Sequence, residues 1–555
     1  METVAEIFLA RRNDSRPALY FEDRSWSGAE LVAECAARAH YLLAHRAPGP
    51  FHVGLLLDNV PEYAFWVGAC ALAGATFVAL NSTRKGADLA RDIGHTECQF
   101  VLIESRYREQ VPDDTAAALG NSLGNGLLVV DAPDYAATLA AHRGLPPPQA
   151  GVSPRDTACL IFTSGTSGAP KAVIYSNVRV MRNCMMLVQS QQLTARDVSY
   201  VPMPLFHSTG LIMGLLALLA AGGAVVLRRK FSASGFLPDV RKFGATSFCY
   251  VGKPLAYILA TEEKPDDRDN PLRVVFGSEA TDIDIANFKR RFGCPAIDNY
   301  GSSEGCITIL RGEGTPPGSI GRGVSEQIRV MDPETGAECP RAVFDAHGVL
   351  QNGNAAIGEL VNLDGGAIFE GYWNNPAARE QRIRDGAYWS GDLAYRDAAG
   401  FFYFAGRSSE WLRVDGENLS AIQIEQVLAR HPGIAVAAVY GVPDPLVGDR
   451  VMAGLELKPG SRLDMAEFKV FLESQEDFGS KWMPAFVRIS ERLPTTQTNK
   501  VLKRDLKREA WNCADAVWWR PLRGGPYQPL TSADTDELQR LFVSRGRGHL
   551  LPQGE

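Results

Sequence analysis

Residues 160–171 of this chain read Leu-Ile-Phe-Thr-Ser-Gly-Thr-Ser-Gly-Ala-Pro-Lys. An apolar strand, Leu160-Ile161-Phe162, runs into hydroxyls and glycines, Thr163-Ser164-Gly165-Thr166-Ser167-Gly168, and the run closes on Ala169-Pro170-Lys171. Glycines let backbone N–H groups close around phosphate oxygens, hydroxyls add donors, and the lysine adds a point charge. The pattern differs from a Walker A loop, which needs Gly-Lys-Ser/Thr; here Pro170 precedes the lysine and Ala172 follows it.

Such a loop must be carried by rigid elements, and the sequence supplies them. Helical patterns cover residues 28–44 and 61–73, and β-rich runs cover 52–57, 76–80, 100–103, 127–130 and 273–276. Strands separated by helical stretches predict parallel sheets wound in α/β layers. The character changes around Gly406. A helix (421–430), strands (434–440, 451–457) and a helix (465–473) follow, a compact α+β module. The 555 residues exceed one hydrophobic core, so two or three domains are expected.

The composition, 45% hydrophobic and 22% charged, is that of an ordinary globular enzyme. A net charge of −7 gives no bulk attraction to nucleic acid or anionic membrane, so an anionic substrate must be met by a local positive site. The ten cysteines form no C-x-x-C pair, which favours reduced thiols over disulfides or a zinc site. Residues 209–227 carry no charge, but Gly222-Gly223 splits them into a helical and a strand-like half. Each half falls short of the roughly 20 apolar residues of a membrane span, so a buried helix–turn–strand is expected. The N-terminus does not read as a signal peptide, and a cytoplasmic location is expected.

The loop resembles the phosphate loop of the adenylate-forming superfamily: acyl- and aryl-CoA ligases, nonribosomal-peptide adenylation domains and luciferases. Further motifs, in that family's order, extend the resemblance over most of the chain. Met203-Pro204-Leu205-Phe206-His207-Ser208-Thr209-Gly210 resembles the second core motif, which implies that His207 lies beside the acyl site. Gly277-Ser278-Glu279 falls where the family contacts adenine through backbone. Asn299-Tyr300-Gly301-Ser302-Ser303-Glu304 resembles Tyr-Gly-x-Thr-Glu. It implies Tyr300 near adenine, Ser303 on the α-phosphate and Glu304 on Mg²⁺, with Thr166 as a second metal contact; a carboxylate suits that hard ion. Tyr388-Trp389-Ser390-Gly391-Asp392 resembles Thr-Gly-Asp. It implies that Asp392 accepts both ribose hydroxyls and needs no counter-ion. Phe404-Ala405-Gly406-Arg407 follows, with Arg407 completing the ribose and phosphate contacts.

The family's hinge, Gly-Arg-x-x-Asp, has Glu410 in its last place here. Gly416-Glu417-Asn418, implied to line the CoA tunnel, and the endings Asp515–Trp519 and Tyr527–Leu530 resemble the fatty-acid transport protein / very-long-chain acyl-CoA synthetase group. Leu493 to Lys500 resembles the last core motif, whose lysine enters the active site, with Asn499 where glycine is usual.

The resemblance implies an α/β fold. Residues 1–409 form a large adenylating domain of layered, mainly parallel sheets with helices. Residues 410–530 form a small mobile α+β domain carrying Lys500, and 531–555 a tail of helix and loose end. It implies a ligase that uses ATP, Mg²⁺ and coenzyme A on a long-chain, fatty or sterol-derived acid, with no nucleic-acid partner, no membrane span, and peripheral contact at the inner membrane face. Two readings compete: another adenylate-former that loads a carrier protein or takes an aryl acid, and a lipid-uptake or acyl-binding protein with vestigial catalysis.

Overall fold

The computed structural model describes residues 1–123, 126–163, 171–346, 348, 350–407, 412–414, 417–446, 448–479, 481–496, 499–522 and 524–552. The helices Gly28–Ala44 and Pro61–Ala73 lie where the sequence predicts them. The first starts where Ser27 and Glu30 exchange side-chain-to-backbone bonds, a capping box. The second has proline in its first turn and stops at Gly74 in the left-handed conformation (φ 69°). The predicted β runs form the strands His52–Leu56, Thr76–Ala79, Cys98–Ile103, Leu127–Val129 and Val274–Ser278.

Two large sheets organise the first three hundred residues. One runs in the order Leu127–Val129, Cys98–Ile103, His52–Leu56, Thr76–Ala79, Thr157–Thr163, Lys171–Ser176; its pairings are parallel except the last. The other runs Ala296–Asp298, Val274–Ser278, Ser247–Val251, Val198–Val201, Ala224–Leu227, Pro17–Phe21, Arg24–Ser27, again parallel until its final pair. One hydrophobic core joins them: Phe77 and Ile161 of the first sheet and Leu19, Val225 and Phe276 of the second belong to it. A third sheet, built on Ile328–Met331, Gly358–Asn362, Ala387–Arg396 and Phe402–Arg407, is antiparallel throughout. Residues 209–227 form the expected buried helix–turn–strand, but Thr209–Leu216 is wound as a π-helix, a form that recurs at functional sites. Among the described residues no helix is long and apolar enough to cross a membrane.

The C-terminal part has its own mixed sheet, Ile434–Pro443, Asp449–Leu457, Phe486–Ser490, Ala516–Trp519 and Gln528–Pro529. It carries a core on each face. Ile424 and Phe468, of the helices Ala421–Leu428 and Met465–Glu473, pack in one; Phe486, Trp511 and Trp519 stack in the other. The tail helix Ser532–Ser544 buries Leu538 and Phe542 in this second core. Ala256, from the helix Pro254–Leu259, joins it too, so the C-terminal lobe rests on the large one there.

Candidate active site

A cavity of about 1310 Å³ opens between the sheets and the C-terminal lobe. Single-ligand pockets run to roughly 300–1,000 Å³, so this one has room for a nucleotide and an acid together. Thr163, Lys171, His207, Gly277, Ser278, Glu279, Tyr300, Asp392, Phe404, Arg407 and Lys500 all line it, as does the whole run Asn299 to Glu304. Ser164, Gly165, Thr166, Ser167, Gly168, Glu410 and Gly416 lie outside the described residues, as do the side chains of Glu417 and Asn418. Glu417 and Asn418 belong to the strand Glu417–Leu419, which pairs with Leu412–Val414.

Thr163 and Lys171 are direct partners across the antiparallel strands Thr157–Thr163 and Lys171–Ser176, so the two ends of the motif meet at one rung. Glu304 is positioned through its neighbour. The Ser303 carbonyl accepts from the Tyr175 hydroxyl and from Arg179 Nη2, each at 2.5 Å, and Arg179 stacks on the Tyr175 ring. Gly305, at φ +67°, is needed there: an added Cβ would stand 2.7 Å from Arg179 Nη2. The Glu304 carboxylate accepts from the Tyr372 hydroxyl at 2.9 Å through Oε1.

Asp392 projects from the strand Ala387–Arg396, its backbone held by the Ser390 hydroxyl, which accepts from the Asp392 N–H at 3.1 Å. Serine in place of threonine keeps this bond. Tyr300 donates to Asp392 Oδ2 at 2.5 Å, and Arg407 Nε stands 3.2 Å from Oδ1. The expectation that Asp392 is satisfied without a counter-ion is therefore corrected. Arg407 is its cross-strand partner in the antiparallel ladder, which puts their side chains side by side. Burial, and then the Asp392 charge, push the Tyr300 phenol well above its usual range.

Lys500 comes from the C-terminal lobe. Its turn is closed by Thr496 N–H to Lys500 O at 2.8 Å, and the Lys253 N–H donates to Asn499 O at 3.3 Å, which seats the turn on the large lobe. Asn499 adopts φ 58°, left-handed backbone that asparagine tolerates better than other non-glycine residues. That is the physical reason the substitution for glycine is accommodated. Lys500 Nζ reaches Glu279 Oε1 at 2.6 Å. Desolvation by the cavity walls would raise the Glu279 carboxyl, but Lys500 first, then Lys253 and Arg407, hold it below its ordinary value.

His207 lies just before the π-helix with its ring 4.5 Å from that of Phe206, and burial lowers its pKa to about 4, so it is neutral at pH 7. Next to it the helix Asn177–Ser190 presents Asn183, Met186, Leu187 and Ser190 to the cavity, the i, i+3, i+4, i+7 face.

Among the cavity residues that no motif marks, four are polar groups tied into the site. Tyr372 holds Glu304. Arg382 donates to the Ser390 carbonyl at 2.6 Å. Tyr250 and Asp298 form a buried pair at 2.9 Å, in which Asp298 also accepts from the Ala280 N–H. Burial raises Asp298 to about 7. A buried aspartate before Asn299-Tyr300 has no signature in sequence, and Arg382 is hidden in the charged run Arg379-Glu380-Gln381-Arg382.

A family model described as AMP-binding enzyme matches residues 8–373, and one described as AMP-binding enzyme C-terminal domain matches residues 423–500; the chain belongs to the AMP-binding enzyme family. It is 44% identical over 552 residues, 99% of each chain, to the steroid-22-oyl-CoA synthetase of Rhodococcus jostii (strain RHA1). It is 46% identical over 522 residues, 94% of this chain and 99% of the other, to the medium/long-chain-fatty-acid–CoA ligase FadD17 of Mycobacterium tuberculosis (strain ATCC 25618 / H37Rv). The anthranilate CoA ligase AuaEII, solved with anthranoyl-AMP, shares the fold: TM-score 0.77 at 21% identity, covering 92% of this chain and 97% of that one. The reaction is that of an AMP-forming acid–thiol ligase: a carboxylic acid is activated by ATP as its acyl-adenylate and passed to coenzyme A.

Mg²⁺ fits the donors present. Among the described residues no group of three or more His, Cys, Asp or Glu could hold a metal. Mg²⁺ needs no such cage: one carboxylate plus substrate phosphates is its usual enzyme coordination.

Proposed function

We propose that Lys171, Glu304, Asp392, Arg407 and Lys500 carry the adenylation step on a long-chain or sterol-derived acid. The supporting observation is convergence: residues from two sheets and a separate C-terminal lobe line one cavity, and Lys500 Nζ already lies inside it, against Glu279. Asp392, with Arg407, takes the ribose, and Tyr300, bonded to Asp392, lies near adenine. Lys171 faces the phosphates. Glu304 would hold Mg²⁺, with Thr166 as the proposed second contact, and the ion would neutralise phosphate charge. The carboxylate of the acid attacks the α-phosphorus of ATP and pyrophosphate departs. Two anions must meet, so preorganised positive charge lowers the barrier. When both substrates are bound, Lys500 exchanges Glu279 for the acid's carboxylate and the α-phosphate and holds them together.

In the second step the CoA sulfur attacks the acyl carbon of the adenylate and AMP leaves. Lys500 occupies space that this approach requires, so the lobe from residue 410 to 530 rotates about Glu410 and brings Gly416, Glu417 and Asn418 to the pantetheine path. Residues 1–409 stay as the fixed body.

The acid class rests on the wall beside His207. Met186, Leu187, Phe206 and Met213 are apolar, while Asn183, Ser190 and Gln191 are polar. Met186 is 40% exposed while lining the cavity, which leaves open space beside this wall for a long body. Both relatives bear names of lipid-like acids, in agreement with this. Such acids partition into bilayers, and peripheral contact with a membrane follows from the same reading.

An acid panel from C2 to C24, with aryl and steroid acids, read by CoA-thioester formation, tests the assignment. Preference for long-chain or steroid acids supports it, and preference for short or aryl acids refutes it. Pyrophosphate release without CoA, followed by acylation of a carrier protein but not of CoA, would favour the competing adenylate-former.

A further inference from the structure

We infer that Arg382 binds the outer phosphates of ATP, the part that leaves as pyrophosphate. The inference rests on the reading above that Lys171 and Glu304 face the triphosphate. Arg382 follows the short helix Pro376–Glu380 and lines the same cavity. Its Nη1 donates to the carbonyls of Ser390 (2.6 Å) and Trp389 (3.4 Å), which fixes the guanidinium over the turn that presents Asp392. Gly391 permits this approach. It adopts φ +78°, and a Cβ there would lie 2.6 Å from Nη1.

The charge arrangement gives the guanidinium a purpose beyond bracing that turn. Arg382 acts electrostatically on Tyr372 and Glu304, and on Lys171 as a like charge. Lys171 Nζ stands 5.3 Å from the centroid of the Tyr372 ring, and the hydroxyl of that ring donates to Glu304. Two cations and one carboxylate thus surround one tyrosine. Glu304 is the one carboxylate that acts on both cations, so the cluster keeps a net positive charge, while burial takes hydration from each cation. A polyanionic ligand offsets that charge. Asp392 and Arg407 mark the ribose end and Lys500 the reacting carboxylate, so the anion left for Lys171 and Arg382 is the outer diphosphate. A planar guanidinium fork suits two phosphate oxygens better than an ammonium does.

The competing explanation is that Arg382 only braces Ser390 and hence Asp392. Binding of ATP, AMP and pyrophosphate to Arg382→Ala, by calorimetry with Mg²⁺ present, separates the two. AMP carries the ribose but not the outer phosphates. We expect AMP affinity to stay within about twofold, while ATP and pyrophosphate weaken on the order of ten- to a hundredfold, as for loss of a charge-assisted hydrogen bond. Arg382→Lys, which keeps the charge and loses the fork, should recover part of the deficit and serves as the second variant if the alanine protein does not fold. Equal weakening of AMP and ATP, or no weakening of either, overturns the inference. Lys171→Ala, measured alongside, tests the underlying reading. If it leaves the ATP-to-AMP affinity ratio unchanged, the placement of the triphosphate is wrong; if it lowers that ratio while Arg382→Ala does not, only the Arg382 assignment fails.

Discussion

Replacing Lys500 with alanine should separate the two half-reactions, and the structure sets the size of the effect. The Lys500–Glu279 pair is close at 2.6 Å, yet its side chains are 42% and 39% exposed. Water screens a pair in that state, and exposed ion pairs contribute about 0.2–1 kcal/mol. Glu279 also keeps Lys253 and Arg407 as neighbouring positive charges when Lys500 is gone. The variant should therefore lose less than about 1 kcal/mol of stability and melt within about two degrees of the parent. On the proposed role adenylation is different, because the ammonium would meet charge that develops only as acid and α-phosphate combine. Loss of one preorganised donor of that kind costs about 3–4 kcal/mol, or on the order of a hundred- to a thousandfold in rate. Acid-dependent pyrophosphate release should fall by that factor, while conversion of supplied acyl-AMP and CoA to thioester stays within about threefold. An equal fall in both half-reactions refutes the reasoning. So does destabilisation by several kcal/mol, which would make Lys500 a structural residue.

Asp298→Asn should flatten the pH dependence of stability. The folded carboxyl titrates near 7 against an ordinary 3.8, so the folded state binds the proton more tightly, and stability is full below pH 4 and lost as pH rises through 7. Both donors, Tyr250 and Ala280, reach the same oxygen, Oδ2, so an amide can replace the acid. The melting temperature of the variant relative to wild type should rise between pH 5 and pH 8; a constant difference rejects the assignment. Asn499→Gly should retain adenylation within about twofold, whereas Asn499→Val, forced to a positive φ at about 1–2 kcal/mol, should slow it. If the valine variant adenylates normally, the turn does not set the position of Lys500. His207, held neutral by burial, should contribute no inflection to the pH profile of pyrophosphate release between pH 5.5 and 8, and His207→Phe should leave the shape of that profile unchanged. An inflection lost in the variant would show that His207 titrates in function.

Local rules made much of the fold legible. The two long helices carry their own start and stop signals: a capping box at Ser27, a first-turn proline at 61 and a left-handed glycine at 74. Buried parallel strands are short apolar runs, readable within a residue or two of their ends. The π-winding of Thr209–Leu216 was not legible, because an apolar run gives the same pattern for either helix. The antiparallel third sheet was also missed as such, since strand direction is set by partners far along the chain.

The motif residues could be named from sequence because each motif is a continuous run around its functional group, and the resemblance supplied the proposed roles. What those groups do to one another is a property of folding. Arg407 became the counter-ion of Asp392 because two strands pair in one register, and Lys500 reached Glu279 because a lobe seats its turn on Lys253. Tyr372, Arg382 and Asp298 belonged to no readable pattern. Electrostatic coupling falls off with distance in space, and sequence separation carries no information about that distance. The sequence by itself determined which chemical groups are present and the local elements that bear them; the tertiary structure alone decided which charges face each other.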